Sequence, residues 1–397
     1  MDQFSQFAVK WGILSSGAVI GRFPLRRLGL LAGVGLVVAS ASLQEAWATD
    51  PNLEKRRNSC SSVTLFEVAP QIDINRARNQ PMGWCYAYSA ADLFSIKLGK
   101  PISAVAIASN YYRNIPKAER LREYRSAGPE DSFLGYEGGV NRGVLNAALL
   151  DGRVCTEASV SSEFEVFRPD SMSRSELRDR SQRVNQEYID SVLDLEGYHS
   201  VLKHWNREKS RGRQLKDTDC SQGVQPSEVR RVADRLFPGI NIDGLMEIAS
   251  RVSRDEFYSE VVKRSCEPVL IPKQWRVYEW EPEVLHSEPR GEDAAEITLT
   301  VIDQQLKKRN PVMIGISSET LTVPESGYRG KTFRDIDHSV LVVGREWMES
   351  TQECYYQLKN SWGLSCKDYP SALCKDGVLW VREKDMKTMT GAVTWVQ

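Results

Sequence analysis

The chain changes its hydrophobic rhythm partway along. From Cys85 to Ile96 nearly every position is apolar or small (Cys85-Tyr86-Ala87-Tyr88-Ser89-Ala90-Ala91-Asp92-Leu93-Phe94-Ser95-Ile96). That run predicts a helix buried on most of its circumference. Gly99-Lys100-Pro101 supplies its stop signal after Leu98. An apolar stripe over 102–112 predicts a second helix, and 143–150 a short third. Residues 171–209 are dense in Arg, Glu, Asp, Ser and Gln with spaced Leu, Val and Ile, the pattern of an amphipathic helix lying on a surface. Helical patterns recur over 226–236 and 245–262. Residues 297–306 predict one more helix, and then the pattern shortens into strand-like runs. These are 310–317, Val340-Leu341-Val342-Val343, Tyr355-Tyr356-Gln357-Leu358, Gly377-Val378-Leu379-Trp380-Val381-Arg382 and a last stretch to Val396. Helices first and strands afterwards predict an α+β architecture.

The first 48 residues follow a different logic. Arg22, Arg26 and Arg27 precede the apolar run from Leu28 to Ala39, and Ala46-Trp47-Ala48 offers a small-residue cleavage site. This reads as a secretory signal, with the mature chain starting at Thr49. Arg26-Arg27 fits a twin-arginine signal poorly, and the apolar run is short for a membrane span. An exported, periplasmic or secreted protein without stable membrane insertion after cleavage is expected. A net charge of −1 gives no whole-protein case for nucleic acid or an anionic membrane.

An oxidising compartment permits disulfides among the eight cysteines. Cys366 and Cys374 flank a short loop and are plausible partners. Cys220 and Cys266 could staple the middle of the chain, and Cys354 reads as a core thiol. A zinc site from Cys354, Cys366 and Cys374 lacks any C-x-x-C pair, and no metal or cofactor is expected. His199 and His204 are spaced unsuitably for a metal pair, and His286 falls in a Pro- and Glu-rich linker.

Three segments carry chemistry. Cys85, at the start of the buried helix, is placed to act as a thiol nucleophile, where a helix dipole and a neighbouring imidazolium both favour the thiolate. His338 opens an apolar strand, a rigid platform for a general base and acid. Asn360 follows another strand and would orient the imidazole, with Trp362 shielding that hydrogen bond from water. The Cys85 N–H and an upstream amide, Gln80, would bind a developing oxyanion. A cysteine, a histidine and an asparagine in this order point to cysteine-type acyl transfer.

These residues resemble the papain family of cysteine peptidases. The matching segments are Gln80, Cys85-Tyr86-Ala87-Tyr88-Ser89, Asp337-His338-Ser339-Val340 and Lys359-Asn360-Ser361-Trp362-Gly363. Glu137-Gly138-Gly139 looks like the family turn that binds substrate backbone, and 377–382 like its final barrel strand. The resemblance covers 66–160 and 295–397. It implies a two-lobed papain-like fold, a helical lobe plus a β-barrel-like lobe, with a helical insertion. The implied division is a signal at 1–48, a polar leader at 49–65, a helical lobe at 66–164, a helical insertion at 165–275 and a β-rich lobe at 276–397. It also implies a protein or peptide substrate, bordered by Gly138, Gly139, Trp84, Asp337 and Trp362.

The sequence departs from the family in four ways. Gln80 stands one residue closer to the nucleophile than usual, so either a residue is deleted or Asn79 takes the amide position. Met82 replaces a cysteine of the usual disulfide. Trp84 replaces a small residue and would narrow the cleft. The insertion separates the matching halves, and the leader is too short for the family's inhibitory propeptide. The insertion is then a solvated helical subdomain, or else a lid or exosite for a protein inhibitor or other partner. Two further functions share the scaffold: cleavage or transpeptidation of peptidoglycan cross-links, and binding by an inactive papain-like protein.

Overall fold

The computed structural model describes residues 51–60, 62–65, 78–81, 83–115, 138–164, 173–216, 221–281, 292–322, 336–363, 366, 369, 373–375 and 377–397. The expected signal, Glu137, Met82, Cys220 and His286 lie outside them. The described helices are α1 (Pro51–Ser59), α2 (Cys85–Leu98), α3 (Ala104–Asn114), α4 (Asn141–Asp151), α5 (Arg174–Gly197), α6 (His199–Ser210), α7 (Pro226–Leu236), α8 (Ile242–Arg251), α9 (Arg254–Ser265), α10 (Glu292–Lys307), α11 (Glu319–Thr322) and α12 (Glu383–Met389). The strands are β1 (Val63–Thr64), β2 (Arg153–Cys155), β3 (Pro268–Leu270), β4 (Val277–Trp280), β5 (Val312–Ile316), β6 (His338–Met348), β7 (Glu353–Lys359), β8 (Leu373–Lys375), β9 (Val378–Arg382) and β10 (Thr390–Val396). Helices fill the first two-thirds and strands dominate the rest, an α+β chain as expected.

The large sheet runs β4-β10-β5-β6-β7-β9-β8, with β1 added on β6, and every pairing is antiparallel. Strand β6 is buried from His338 through Arg345, because α2 packs on it as well as α10. A strand covered on both faces reads as a continuous apolar run, which is why Val340–Val343 shows no alternation. The stretch 377–382 is β9 and is not the last strand. The chain turns through α12 and returns as β10, between the edge strand β4 and β5.

Helix α2 is the centre of the helical half. Its buried residues run without a break from Tyr86 to Ile96, and Gly99 closes it in the left-handed region at φ 68°, a conformation that suits glycine. Fully burying an aromatic such as Tyr86 or Phe94 contributes roughly 1.5–3 kcal/mol each.

Residues 173–216 and 221–265 are mostly helical and pack into the same hydrophobic core as α2 and the sheet. The two long patterns read in the sequence are each broken once, at Tyr198 between α5 and α6 and at Val252-Ser253 between α8 and α9. The break at Val252 receives His199, whose Nε2 lies 3.0 Å from the Val252 carbonyl. His199 is thus a core histidine, while His204 is exposed. Chain segments that precede and follow these helices pair with each other. Strand β2 pairs with β3, and beside them Cys155 is bonded to Cys266, 111 positions apart. Cys266 is therefore not the partner of Cys220. Cross-linking so long a loop is worth about 4–5 kcal/mol in the chain-entropy account.

Two other disulfides are present. Cys366–Cys374 forms as the sequence suggested. Cys354 is no free core thiol; it is bonded to Cys60. With all three of its sulfurs oxidised, the zinc site weighed above has no ligands. The expected polar leader is built into the β half instead, through this disulfide, the β1–β6 pairing and the fully buried Leu65. Among the described residues no helix is long and apolar enough to cross a membrane.

Candidate active site

Cys85 is the first residue of α2, as expected, and the only free cysteine among those described. No acidic residue sits in that first turn, so the positive end of the helix dipole favours the thiolate, while the charge of nearby Asp337 works against it. The Ser339 N–H is directed at the Cys85 thiol. One turn further along, Ser89 Oγ donates to the Ser339 carbonyl at 3.0 Å. Helix α2 therefore grips both sides of Ser339, the residue after His338. Ser339 Oγ in turn donates to Asn141 Oδ1 at 2.8 Å.

His338 and Asn360 come together through strand register. Ile316 pairs with His338 and Leu341 with Lys359, so the start of β6 and the residue after β7 share one end of the sheet. Asn360 Oδ1 lies 2.8 Å from His338 Nε2. The same oxygen accepts the Ser361 backbone N–H at 2.8 Å. A backbone N–H can only donate, so this atom is the amide oxygen and Nε2 must carry the proton. Nδ1 is left with the lone pair. Asn360 Nδ2 donates to the Tyr369 hydroxyl at 2.9 Å. Trp362 packs between them, 4.5 Å from the His338 ring and stacked at 5.9 Å on Tyr369.

Burial dominates the titration of both groups. It pushes the Cys85 thiol up to about 11, against the opposing Ser339 and Tyr86 N–H groups. It pulls His338 down to about 4, against the Asn360 hydrogen bond and the charge of Asp337. These surroundings favour the uncharged form of each group and do not by themselves enforce the expected thiolate–imidazolium pair. Between about 4 and about 11 the Cys85 thiol therefore keeps its proton and His338 Nδ1 stays unprotonated.

Gln80 lies beside Asn360. Its N–H donates to the Ser361 carbonyl at 2.7 Å, and Ser361 Oγ donates to Gln80 Oε1. Asn79, the alternative amide, points elsewhere. Its Nδ2 donates to Asn185 Oδ1 at 2.7 Å and its Oδ1 accepts from Asn185 at 3.2 Å. Gly363, at φ 81°, packs so closely that a Cβ there would stand 2.9 Å from Asn79 Oδ1.

The residues expected to border the substrate divide. Gly138 and Gly139 lie on the Cys85 loop, with the Gly138 N–H donating to the Gly83 carbonyl at 3.1 Å. A Cβ at Gly139 would stand 2.8 Å from the Tyr86 ring, so only glycine lets this backbone approach so closely. Asp337 is exposed and accepts from both the N–H and the hydroxyl of Ser318, at 2.6 and 2.7 Å. Trp362 is half-buried. Trp84 is a correction. At 0% exposure it has no surface to offer a substrate; its indole is part of the core and does not narrow a cleft.

Sequence reading missed the ion cluster beneath these segments. Arg78 donates to Glu157 at 2.7 Å and to Glu163 at 3.2 Å, and lies 3.9 Å from Asp92 on α2. Asp92 also meets Lys359, the residue before Asn360, at 3.7 Å. Burial works against the Arg78 charge, but the three surrounding carboxylates overcome it and hold it protonated. The available signal was Asp92, a charge in an otherwise apolar helix, which requires a partner when buried.

No family model matches the chain, and no curated relative does. Solved structures show a distant likeness. SERA5E from Plasmodium falciparum aligns at 12% identity over 81% of this chain and 90% of its own, with a TM-score of 0.35. The digestive procathepsin L 3 of the Tenebrio molitor larval midgut aligns at 11% identity over 84% of this chain and 69% of its own, at 0.37. The proform of the Amb a 11 cysteine protease, a major ragweed pollen allergen, aligns at 12% over 83% and 64%, at 0.35. Likeness this distant carries no weight for the chemistry of the site, which stands on the hydrogen bonds around Cys85, His338 and Asn360.

Proposed function

We propose that this protein is a papain-like cysteine peptidase, exported and acting on protein or peptide substrates. Cys85 Sγ gives its proton to His338 Nδ1 and attacks the scissile carbonyl. The Cys85 N–H and the Gln80 side-chain amide receive the oxyanion. His338 then protonates the leaving amine, an S-acyl bond to Cys85 remains, and water activated by His338 hydrolyses it. Asn360 keeps the proton on Nε2 throughout, so that Nδ1 stays available as the base. Gly138 and Gly139 offer backbone groups to the substrate chain.

The observation that carries this reading is the double use of Asn360 Oδ1, by Ser361 N–H and by His338 Nε2. A merely structural histidine does not require its tautomer to be fixed this way. Two departures from the family pattern, Trp84 and the Gln80 spacing, do not stand against turnover. Trp84 belongs to the core, and Gln80 reaches Ser361 despite the shortened spacing. The three disulfides support an oxidising location, with residues 1–48 as its signal. We assign 165–275 as the insertion between the two catalytic halves.

The test is turnover of a fluorogenic dipeptide panel by the protein from Thr49, beside Cys85→Ala. Hydrolysis that disappears in the variant is expected. Release of wall fragments without hydrolysis of the panel would replace this substrate class by peptidoglycan. No reaction with either, and no labelling of Cys85 by a peptidyl epoxide, would leave only a binding scaffold.

A further inference from the structure

Gln80 is held from two sides, and only one belongs to the catalytic halves. On the first side, segment 78–80 runs against 361–363. The Gly363 N–H donates to the Arg78 carbonyl and the Gln80 N–H to the Ser361 carbonyl, both at 2.7 Å, with an isolated bridge between Asn79 and Trp362. On the other side lies α5. Asn185 Nδ2 donates to the Gln80 carbonyl at 3.3 Å while Asn185 Oδ1 accepts from Asn79 Nδ2. The Ser181 carbonyl, one turn earlier, takes the same Asn79 amide at 3.4 Å.

Helix α5 is firmly placed to do this. A capping box of Ser173 and Glu176 starts it. Leu177, Ser181, Tyr188, Val192 and Leu195 are buried along one side, and the Tyr188 hydroxyl donates to the Ser161 carbonyl at 2.8 Å. Asn185 is a half-buried amide on that helix, and the Ser181 hydroxyl donates within the helix to the Leu177 carbonyl at 2.9 Å. An amide on a packed helix face is costly unless it meets specific partners, and those of Asn185 are Asn79 and Gln80, the two residues that lead into the nucleophile loop.

We infer that Asn185 is a positioning residue for peptide hydrolysis, bracing Gln80 from the inserted helix so that its amide meets the oxyanion. The inference rests on the peptidase reading above. It gives the insertion a part in turnover from behind the site, with no need for a lid. A brace of this kind acts on k_cat, because a donor displaced by about an ångström loses most of its transition-state value while substrate binding is little changed.

The experiment is a double-mutant cycle of Asn185→Ala with Gln80→Ala on the full mature chain. It reads k_cat and KM on a fluorogenic peptide, the rate of Cys85 alkylation by iodoacetamide, and the melting temperature. Asn185→Ala is expected to lower k_cat about tenfold with KM within about twofold. Alkylation, which forms no oxyanion, should keep its wild-type rate. In the Gln80→Ala background the same change should cost no further activity, because its effect passes through Gln80. Asn185→Asp keeps the acceptor for Asn79 but loses both N–H donors, so it should reproduce the k_cat loss in a chain that still folds. Losses that multiply fully in the double variant, or a lowered melting temperature with k_cat unchanged in both Asn185 variants, would overturn the brace while leaving the peptidase intact. A wild-type chain that hydrolyses no peptide would overturn both.

Discussion

The two sides of the candidate site are assembled by different means. His338 and Asn360 stand at the ends of neighbouring β6 and β7, and the antiparallel ladder sets their separation. Gln80 and Cys85 sit on a turn entering α2, where side chains distant in sequence do the positioning: Asn185 on Asn79 and Gln80, Glu163 on Arg78 and the Asn79 N–H, Ser361 on Gln80. A ladder distributes its strength over many equivalent bonds. A polar cluster concentrates it in a few groups, each of which leaves others unpaired when removed. The nucleophile side should therefore couple stability to activity, and the base side should separate them.

The largest effect that would sharpen this contrast is expected at Arg78. Arg78→Leu strands Glu157, Glu163 and Asp92 without their cation, and breaking such a buried cluster typically costs about 3–5 kcal/mol. Urea unfolding should show a greatly reduced midpoint or no folded protein. A midpoint within experimental error of wild type would mean that this side does not depend on its cluster.

Next comes His338→Ala. Peptide turnover should fall about a thousandfold or more, with the melting temperature little changed, because the ladder persists without the imidazole. A loss of stability as large as that of Arg78→Leu would erase the distinction between the two sides.

The pH profile of kcat/KM tests how the two sides join. A lowered His338 pKa means that the imidazole remains a base until about pH 4. The rate should stay level above that value and fall as acid adds a second proton to the pair. The last proton leaves only toward about 11, so the alkaline limb should be far from neutrality. An acid limb near 6.5, the ordinary value for histidine, would show that burial does not govern the ring.

The smallest effect is expected from Ser89→Ala. It removes one hydrogen bond across the seam between α2 and β6, worth about 1 kcal/mol. Thermal unfolding measures this directly, and a change several times larger would show that the seam is held at this one point.

What could be read from the chain follows the same division. The apolar runs specified α2, β6 and β7, and with them the positions of Cys85, His338 and Asn360, because local pattern and buried environment agree there. Boundaries failed where tertiary contacts decide them. The break at Val252 receives His199, and β10 inserts between the edge strand β4 and β5, away from β9 that precedes it. Disulfide pairing was readable only for the short Cys366–Cys374 loop. Cys155–Cys266 and Cys60–Cys354 join positions 111 and 294 apart, which no local pattern encodes. Arg78 and Asn185 were hidden for the same reason: each looks like an ordinary surface polar residue until its partners are brought to it, and only Asp92 of the Arg78 cluster stood out.

The most direct measurement is intact-mass analysis after exposure to a peptidyl epoxide, with the adduct mapped by digestion, for the wild type, Cys85→Ala and His338→Ala. The account predicts one adduct per chain, on Cys85, absent in Cys85→Ala and formed far more slowly in His338→Ala. Labelling of Cys85 at the same rate with and without His338, or no labelling at all in the folded wild type, would contradict it.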